Sequence, residues 1–138
     1  MTETNLQIAE LLLRLFAGVL FLFQGYDKLF KVKMSNVIET FLPDAKQNNI
    51  PKPLVVIVAY FTSFAELIGG LLLIFGFMTN YALYVLSADL LLVAFSFSFV
   101  QAMWDLKFVF PRLAIVTTLL LLPENSRKFC LDYFLSLN

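Results

Sequence analysis

Arg14, Glu66 and Asp89 are the residues of this 138-residue chain best placed to do chemistry, because each is ionisable and each lies well inside an apolar stretch. A lone charge at mid-bilayer costs about 2.5–3.5 kcal/mol on insertion scales, so three such groups require partners. An arginine presents a planar fork of donors that a carboxylate accepts two at a time. An Arg14–Glu66 pair would therefore offset much of the cost. Asp89 is then a surplus acid in a low-dielectric place, able to hydrogen-bond a backbone carbonyl or Ser96. Gln24, next to Gly25, adds an amide that suits either a polar pocket or a bond between helices.

Other chemistry is excluded by what is missing. Histidine is absent and Cys130 is the only cysteine. Imidazole base catalysis, His-bound zinc and axial-histidine haem are therefore out of reach. A single cysteine forms neither an internal disulfide nor a CxxC redox pair. No residue set spells out a catalytic reaction or a metal site, so no catalytic activity of its own and no intrinsic cofactor are expected. The 10 basic residues balance the 10 acidic ones, which argues against nucleic acid as a partner.

The elements that must position these groups are membrane spans. Hydrophobic residues make up 60% of the chain and charged residues 14%, against roughly 45–50% and about 25% in soluble domains. Apolar stretches at about 6–30, 54–78, 81–103 and 106–122 approach or exceed the ~20 residues of a spanning helix. The fourth is short and carries Pro111 at its start together with Lys107 and Arg112, two long cations that snorkel to headgroups. The expected fold is all-α: an integral membrane four-helix bundle forming one domain over 1–138. The N-terminus lacks the basic region and cleavage site of a secretory signal.

Between the first two spans, Met34, Val37, Ile38, Phe41 and Leu42 repeat at helical spacing, with Ser35, Asn36, Glu39 and Thr40 opposite. This predicts a short interfacial helix, ended by Pro43 and by the prolines at 51 and 53. Thr79-Asn80 predicts a tight turn between the second and third spans. Lysine and arginine cluster on the side of the first and third connections, from Lys28 to Lys52 and at Lys107 and Arg112, against Arg127 and Lys128 on the other. By the positive-inside rule both termini lie outside and the 31–52 connection is cytoplasmic.

Counting along the spans, Arg14 and Asp89 are displaced the same way from mid-span and Glu66 is central, so the three are expected on one level. Arg14, Gly18, Phe21, Gly25 and Lys28 share one stripe at 100° per residue, as do Thr62, Ser63, Glu66, Gly69 and Gly70. Small residues let helices approach in lipid, so Gly18, Gly25, Gly69 and Gly70 are expected at helix contacts and the charges inside. Such a cluster reads either as a structural staple or as a polar pocket suited to proton uptake and release at a quinone headgroup.

The residues also resemble a family. Leu12-Leu13-Arg14-Leu15, Gly18, Phe21-Leu22-Phe23-Gln24-Gly25 and Lys28-Leu29-Phe30 are similar to the first helix of DoxX-type membrane proteins. Glu66-Leu67-Ile68-Gly69-Gly70, Gly76 and Thr79 are similar to the second, and Asp105-Leu106 with Leu131-Asp132 fit the family's ending. Gln24 stands where a histidine is common. The resemblance implies a multi-pass protein of the inner (plasma) membrane that contacts lipids and a membrane or peripheral protein partner. It implies a subunit or partner of a quinone-linked redox complex, with quinone as the candidate small molecule. The alternative is a non-catalytic accessory or scaffold subunit of a larger membrane assembly.

Overall fold

Helix-forming apolar runs, interrupted at Lys33, at Pro51 and at Gly76, give a chain with no strand among its described residues. The structure, a computed structural model, describes residues 3–100 and 109–135. Helix α1 (Glu3–Tyr26) continues into a wider π turn, Asp27–Lys31, in which Val32 N–H donates to Asp27 O at 2.8 Å. Then come α2 (Met34–Gln47), α3 (Lys52–Phe75), α4 (Thr79–Val100) and α5 (Val109–Leu121). A 3-10 turn (Glu124–Ser126) and the single-turn α6 (Leu131–Phe134) form the tail.

The fold is all-α, as expected. Among the described residues, three helical stretches are long and apolar enough to cross a membrane: Glu3–Lys31, Lys52–Phe75 and Thr79–Ser98. The fourth apolar helix, α5, has 13 described residues. The expected end of the third span at Met103-Trp104-Asp105, the start of the fourth at 106, and Lys107 lie outside the described residues.

Helices α1 and α3 run antiparallel and in close contact, and glycine is the reason. A β-carbon on Gly25 would come within 2.5 Å of Leu67 N and 2.7 Å of Ser63 O; one on Gly70 would come within 2.8 Å of Gly18 O. Only hydrogen at these positions lets the two backbones meet, the arrangement that gives lipid-embedded helices their dispersion energy. Gly69 faces the other way, and a β-carbon there would meet the Leu86 side chain of α4 at 2.8 Å. Around these contacts Ala17, Phe21, Leu73, Leu83, Leu86, Leu90, Val116 and Leu119 form the core. Outward-facing side chains such as Leu12, Phe16, Phe23, Ile57, Phe61, Leu91 and Phe95 are large and apolar, the exterior that a hydrocarbon solvent requires.

Two local expectations are corrected. The turn between α3 and α4 is Gly76–Met78, not Thr79-Asn80, which form the first turn of α4. Gly76 takes a left-handed conformation (φ 63°); Phe77 N–H reaches Leu72 O at 3.0 Å and Gly76 N–H reaches Leu73 O at 3.2 Å. This pattern closes a helix C-terminus at a residue without Cβ strain. In the first connection, Pro43 does not end the helix: α2 runs on to Gln47. Pro43 and Glu39, whose carbonyl the proline ring leaves without its helical donor, are both on the exposed side, where water substitutes. The apolar face of α2 packs on α3, burying Met34 and Ala45.

Candidate functional site

The expected convergence of Arg14, Glu66 and Asp89 does not occur. Arg14 is level with the end of α3, whereas Glu66 and Asp89 lie level with Gln24, about ten residues or ~15 Å further along α1. Two separate polar clusters result.

The first is at the end of the bundle that holds the tail. The Arg14 guanidinium is 1% exposed. Its Nε donates to Glu10 Oε1 at 2.9 Å, one helical turn earlier, so its carboxylate partner is Glu10 and not Glu66. Its Nη1 donates to Leu73 O at 2.7 Å and Ile74 O at 3.3 Å, and Nη2 to Phe129 O at 2.6 Å. The carbonyls of Leu73 and Ile74 belong to the last turn of α3, where carbonyls lack helical donors and partial negative charge accumulates. Arg14 thus caps α3 and ties the tail to it. Asp132 does the complementary task for α4: its carboxylate accepts from Met78 N–H at 2.6 Å and Thr79 N–H at 2.7 Å, while its own N–H donates to Gly76 O at 2.9 Å. Arg127 bonds Asn80 Oδ1 and, at 3.2 Å, Leu119 O. Cys130 is buried beside Gly76, with its thiol on Arg127 O at 2.8 Å. Desolvation pushes that thiol above its ordinary range, the opposite of what a reactive cysteine needs. This cluster is spent on holding backbone ends.

The second cluster is at mid-span. Lys28 Nζ meets Glu66 Oε2 at 2.7 Å, with Glu66 1% and Lys28 24% exposed. Lys28 begins the chain's turn-off from the bundle, yet lysine side chains on a helix lean toward its N-terminus, and this one reaches back to the Glu66 level. It sits in the π turn, a distortion that often accompanies functional sites. Asp89 is fully buried, and neither of its carboxylate oxygens has a hydrogen-bond partner among the described residues; Gln24 Oε1 is likewise without one. Ser96, an expected partner of Asp89, bonds Leu92 O instead. Glu66 is the acid acting on Asp89, and Lys28 and Arg112 are the cations acting on both.

This cluster adjoins a cavity of about 690 Å³ between α2, α3, α4 and the start of α5. Its walls are mostly aliphatic and aromatic (Val37, Phe41, Leu54, Val58, Val93 and Phe97 among them), and its polar lining includes Gln24, Lys28, Thr62, Ser96 and Arg112. Glu66 and Asp89 follow one helical turn after the lining residues Thr62 and before Val93, on the same faces. The volume lies within the ~300–1,000 Å³ of small-molecule sites, and an apolar chamber with a few polar groups gathered in it is the usual form of such sites. Among the described residues, no group of three or more His, Cys, Asp or Glu side chains is arranged to hold a metal ion.

Of the four residues expected to form a polar cluster, Glu66 and Asp89 lie within electrostatic range of each other, Gln24 lines the adjoining cavity, and Arg14 is apart. Lys28, Arg112 and Glu10 are the participants that sequence reasoning passed over. Glu10 was signalled by its i,i+4 spacing to Arg14, and Lys28 by its place on the glycine stripe. Arg112 carried only the weak signal of a cation near a span end.

Fold and site together define a small multi-pass helical membrane protein with a charged cavity. The DoxX family model matches residues 9–99, and the chain belongs to the DoxX family. No curated protein and no solved structure gives a match to it.

Proposed function

We propose that the protein is an inner-membrane subunit or partner of a quinone-linked redox complex, binding the quinone but performing no electron transfer of its own. The observation that carries this reading is the cavity of about 690 Å³, apolar over most of its wall, with Gln24, Lys28 and Arg112 in its lining beside the Glu66–Asp89 pair. A quinone has an apolar body and two carbonyl oxygens that accept hydrogen bonds, and its reduction and oxidation consume and release protons. Lys28 and Arg112 supply donors for the carbonyls, and the unpartnered carboxylate of Asp89 is a site for a proton. With no histidine and one buried cysteine, the electrons travel through a partner's cofactor. The membrane orientation that goes with this reading has both termini outside and the 31–52 connection in the cytoplasm, from the lysine-rich side of the bundle.

The test is extraction from native membranes in mild detergent, followed by identification of co-purifying proteins and quinones. Stoichiometric quinone, with redox activity of the recovered complex lost in Glu66→Gln, supports the proposal. A bound lipid with no redox role, or a complex indifferent to that substitution, refutes it. The second reading is an accessory or scaffold subunit. It is favoured by the polar face of α2 (Ser35, Asn36, Glu39, Thr40), which is exposed while the opposite face is docked on α3.

A further inference from the structure

Arg112 is a cation that faces a cavity rather than a carboxylate. It lies in the first turn of α5, half-buried, and lines the cavity whose other walls are largely hydrocarbon. A guanidinium presents five N–H donors and no acceptor. No hydrogen bond from Arg112 to a described residue is present, although Glu66 and Asp89 lie within electrostatic range. Leaving charged donors unmade in a place that water enters poorly costs free energy, so such a group is balanced either by moving or by an acceptor arriving.

Lys28 repeats the pattern in weaker form. Its ammonium has three donors, one of which is committed to Glu66. Two cations from α5 and from the π turn therefore flank one cavity, and the two acids that balance them, Glu66 and Asp89, stand behind its wall and do not line it. Among the described residues, the surface offered to an occupant carries the donors of Lys28 and Arg112 and no carboxylate.

We infer that Arg112, with Lys28 as the second donor, recognises the headgroup of an amphiphile that occupies this cavity, through carbonyl or carboxylate oxygens on that headgroup. The apolar walls take the body or chain, and the fork of Arg112 accepts two oxygens side by side where the headgroup provides them. A cationic or purely apolar molecule of the same length gains nothing at this end of the cavity. The inference rests on the reading that the cavity holds an amphiphile, but it does not require that amphiphile to be a quinone.

The experiment uses the full chain in nanodiscs of zwitterionic lipid and measures binding of two probes, a decyl-substituted benzoquinone and palmitate. They are compared in the wild type, Arg112→Met and Arg112→Lys, with helical circular dichroism and melting used to confirm folding. Wild-type protein is expected to bind at least one probe, with affinity lowered about tenfold or more in Arg112→Met, the loss of a charged hydrogen-bonding partner. Arg112→Lys keeps the charge without the fork and is expected to fall between; it carries the test if the methionine variant does not fold. Palmitate binding that depends on Arg112, without quinone binding, upholds the role of Arg112 and removes the quinone. Quinone binding unchanged in both variants overturns the role of Arg112 and leaves the quinone reading standing. Failure of both probes to bind the wild type overturns both.

Discussion

Lys28 Nζ and Glu66 Oε2 are joined at 2.7 Å across 38 residues of sequence, and this bond fixes the level at which α1 and α3 present their polar atoms to each other. The pairing has the geometry of a charge-assisted hydrogen bond. Lys28 also lines the cavity, and Asp89, whose oxygens have no donor among the described residues, lies within electrostatic range of both partners.

Removing one member of this pair strands the other. Lys28→Met is expected to cost about 3–5 kcal/mol, the usual penalty for leaving a buried charge uncompensated. Lys28→Met combined with Glu66→Gln should recover most of that loss. Thermal unfolding in detergent micelles of the wild type, Lys28→Met, Glu66→Gln and the double variant measures the coupling; additive losses would mean that the pair contributes nothing as a pair.

Arg14 is expected to behave differently, because its partners are mainly backbone carbonyls. Arg14→Lys keeps the charge but cannot span Leu73 O, Phe129 O and Glu10 at once. A loss of about 1.5–3 kcal/mol follows from one charged hydrogen bond left unmade. Hydrogen exchange should quicken in 127–135 and in the last turn of α3 before it changes elsewhere. Unchanged exchange in the tail would contradict the capping role.

Glycine substitutions separate the two helix contacts. Gly25→Ala and Gly70→Ala push a methyl group into facing backbone and are expected to cost about 1–3 kcal/mol each. Gly69→Ala meets only the Leu86 side chain, which has rotamers to escape into, and should cost less. Melting temperatures in one detergent give the order, and equal shifts would refute the distinction.

The buried thiol supplies a pH dependence. Desolvation holds Cys130 neutral and raises its pKa, so its contribution to stability is complete below the ordinary thiol value of about 8.5. That contribution is lost as pH rises through the higher folded value. Alkylation by iodoacetamide at pH 8 should be slow in the wild type and faster in Asp132→Ala. The alanine variant itself is expected to lose about 0.5–2 kcal/mol with the cap on α4. Equal labelling rates would show that the tail does not shield the thiol.

Helix type and apolar spacing were legible because both are local: every apolar stretch supplies its own backbone hydrogen bonds, and the stripes through Gly18–Gly25 and Gly69–Gly70 follow from 3.6-residue geometry. The position of Arg14 was not legible. Its depth was counted from the ends of its own apolar stretch, but α3 stops at Phe75, and the residue opposite Arg14 is therefore a helix end. Pairing of Glu66 with Lys28 escaped for a related reason. Lys28 stands near the end of α1 in sequence, and only a π turn and a long side chain bring its ammonium back to mid-span. The cavity depends on how α2 lies across α3 and α4, a long-range arrangement that periodicity within α2 does not encode.

The Asp132 cap also has a consequence in time. Thr79 N–H, at the start of α4, finds its acceptor 53 residues later in the chain. During synthesis α3 and α4 enter the membrane while that acceptor is still unmade, and the Phe129 carbonyl that completes the bonds of Arg14 is also absent. The nascent hairpin therefore waits with the start of α4 uncapped, and Arg14 of α1 is short of one partner. The tail is then the segment that latches it, and a chain interrupted before residue 129 retains the three long apolar helices described while lacking the bonds that tie their ends together.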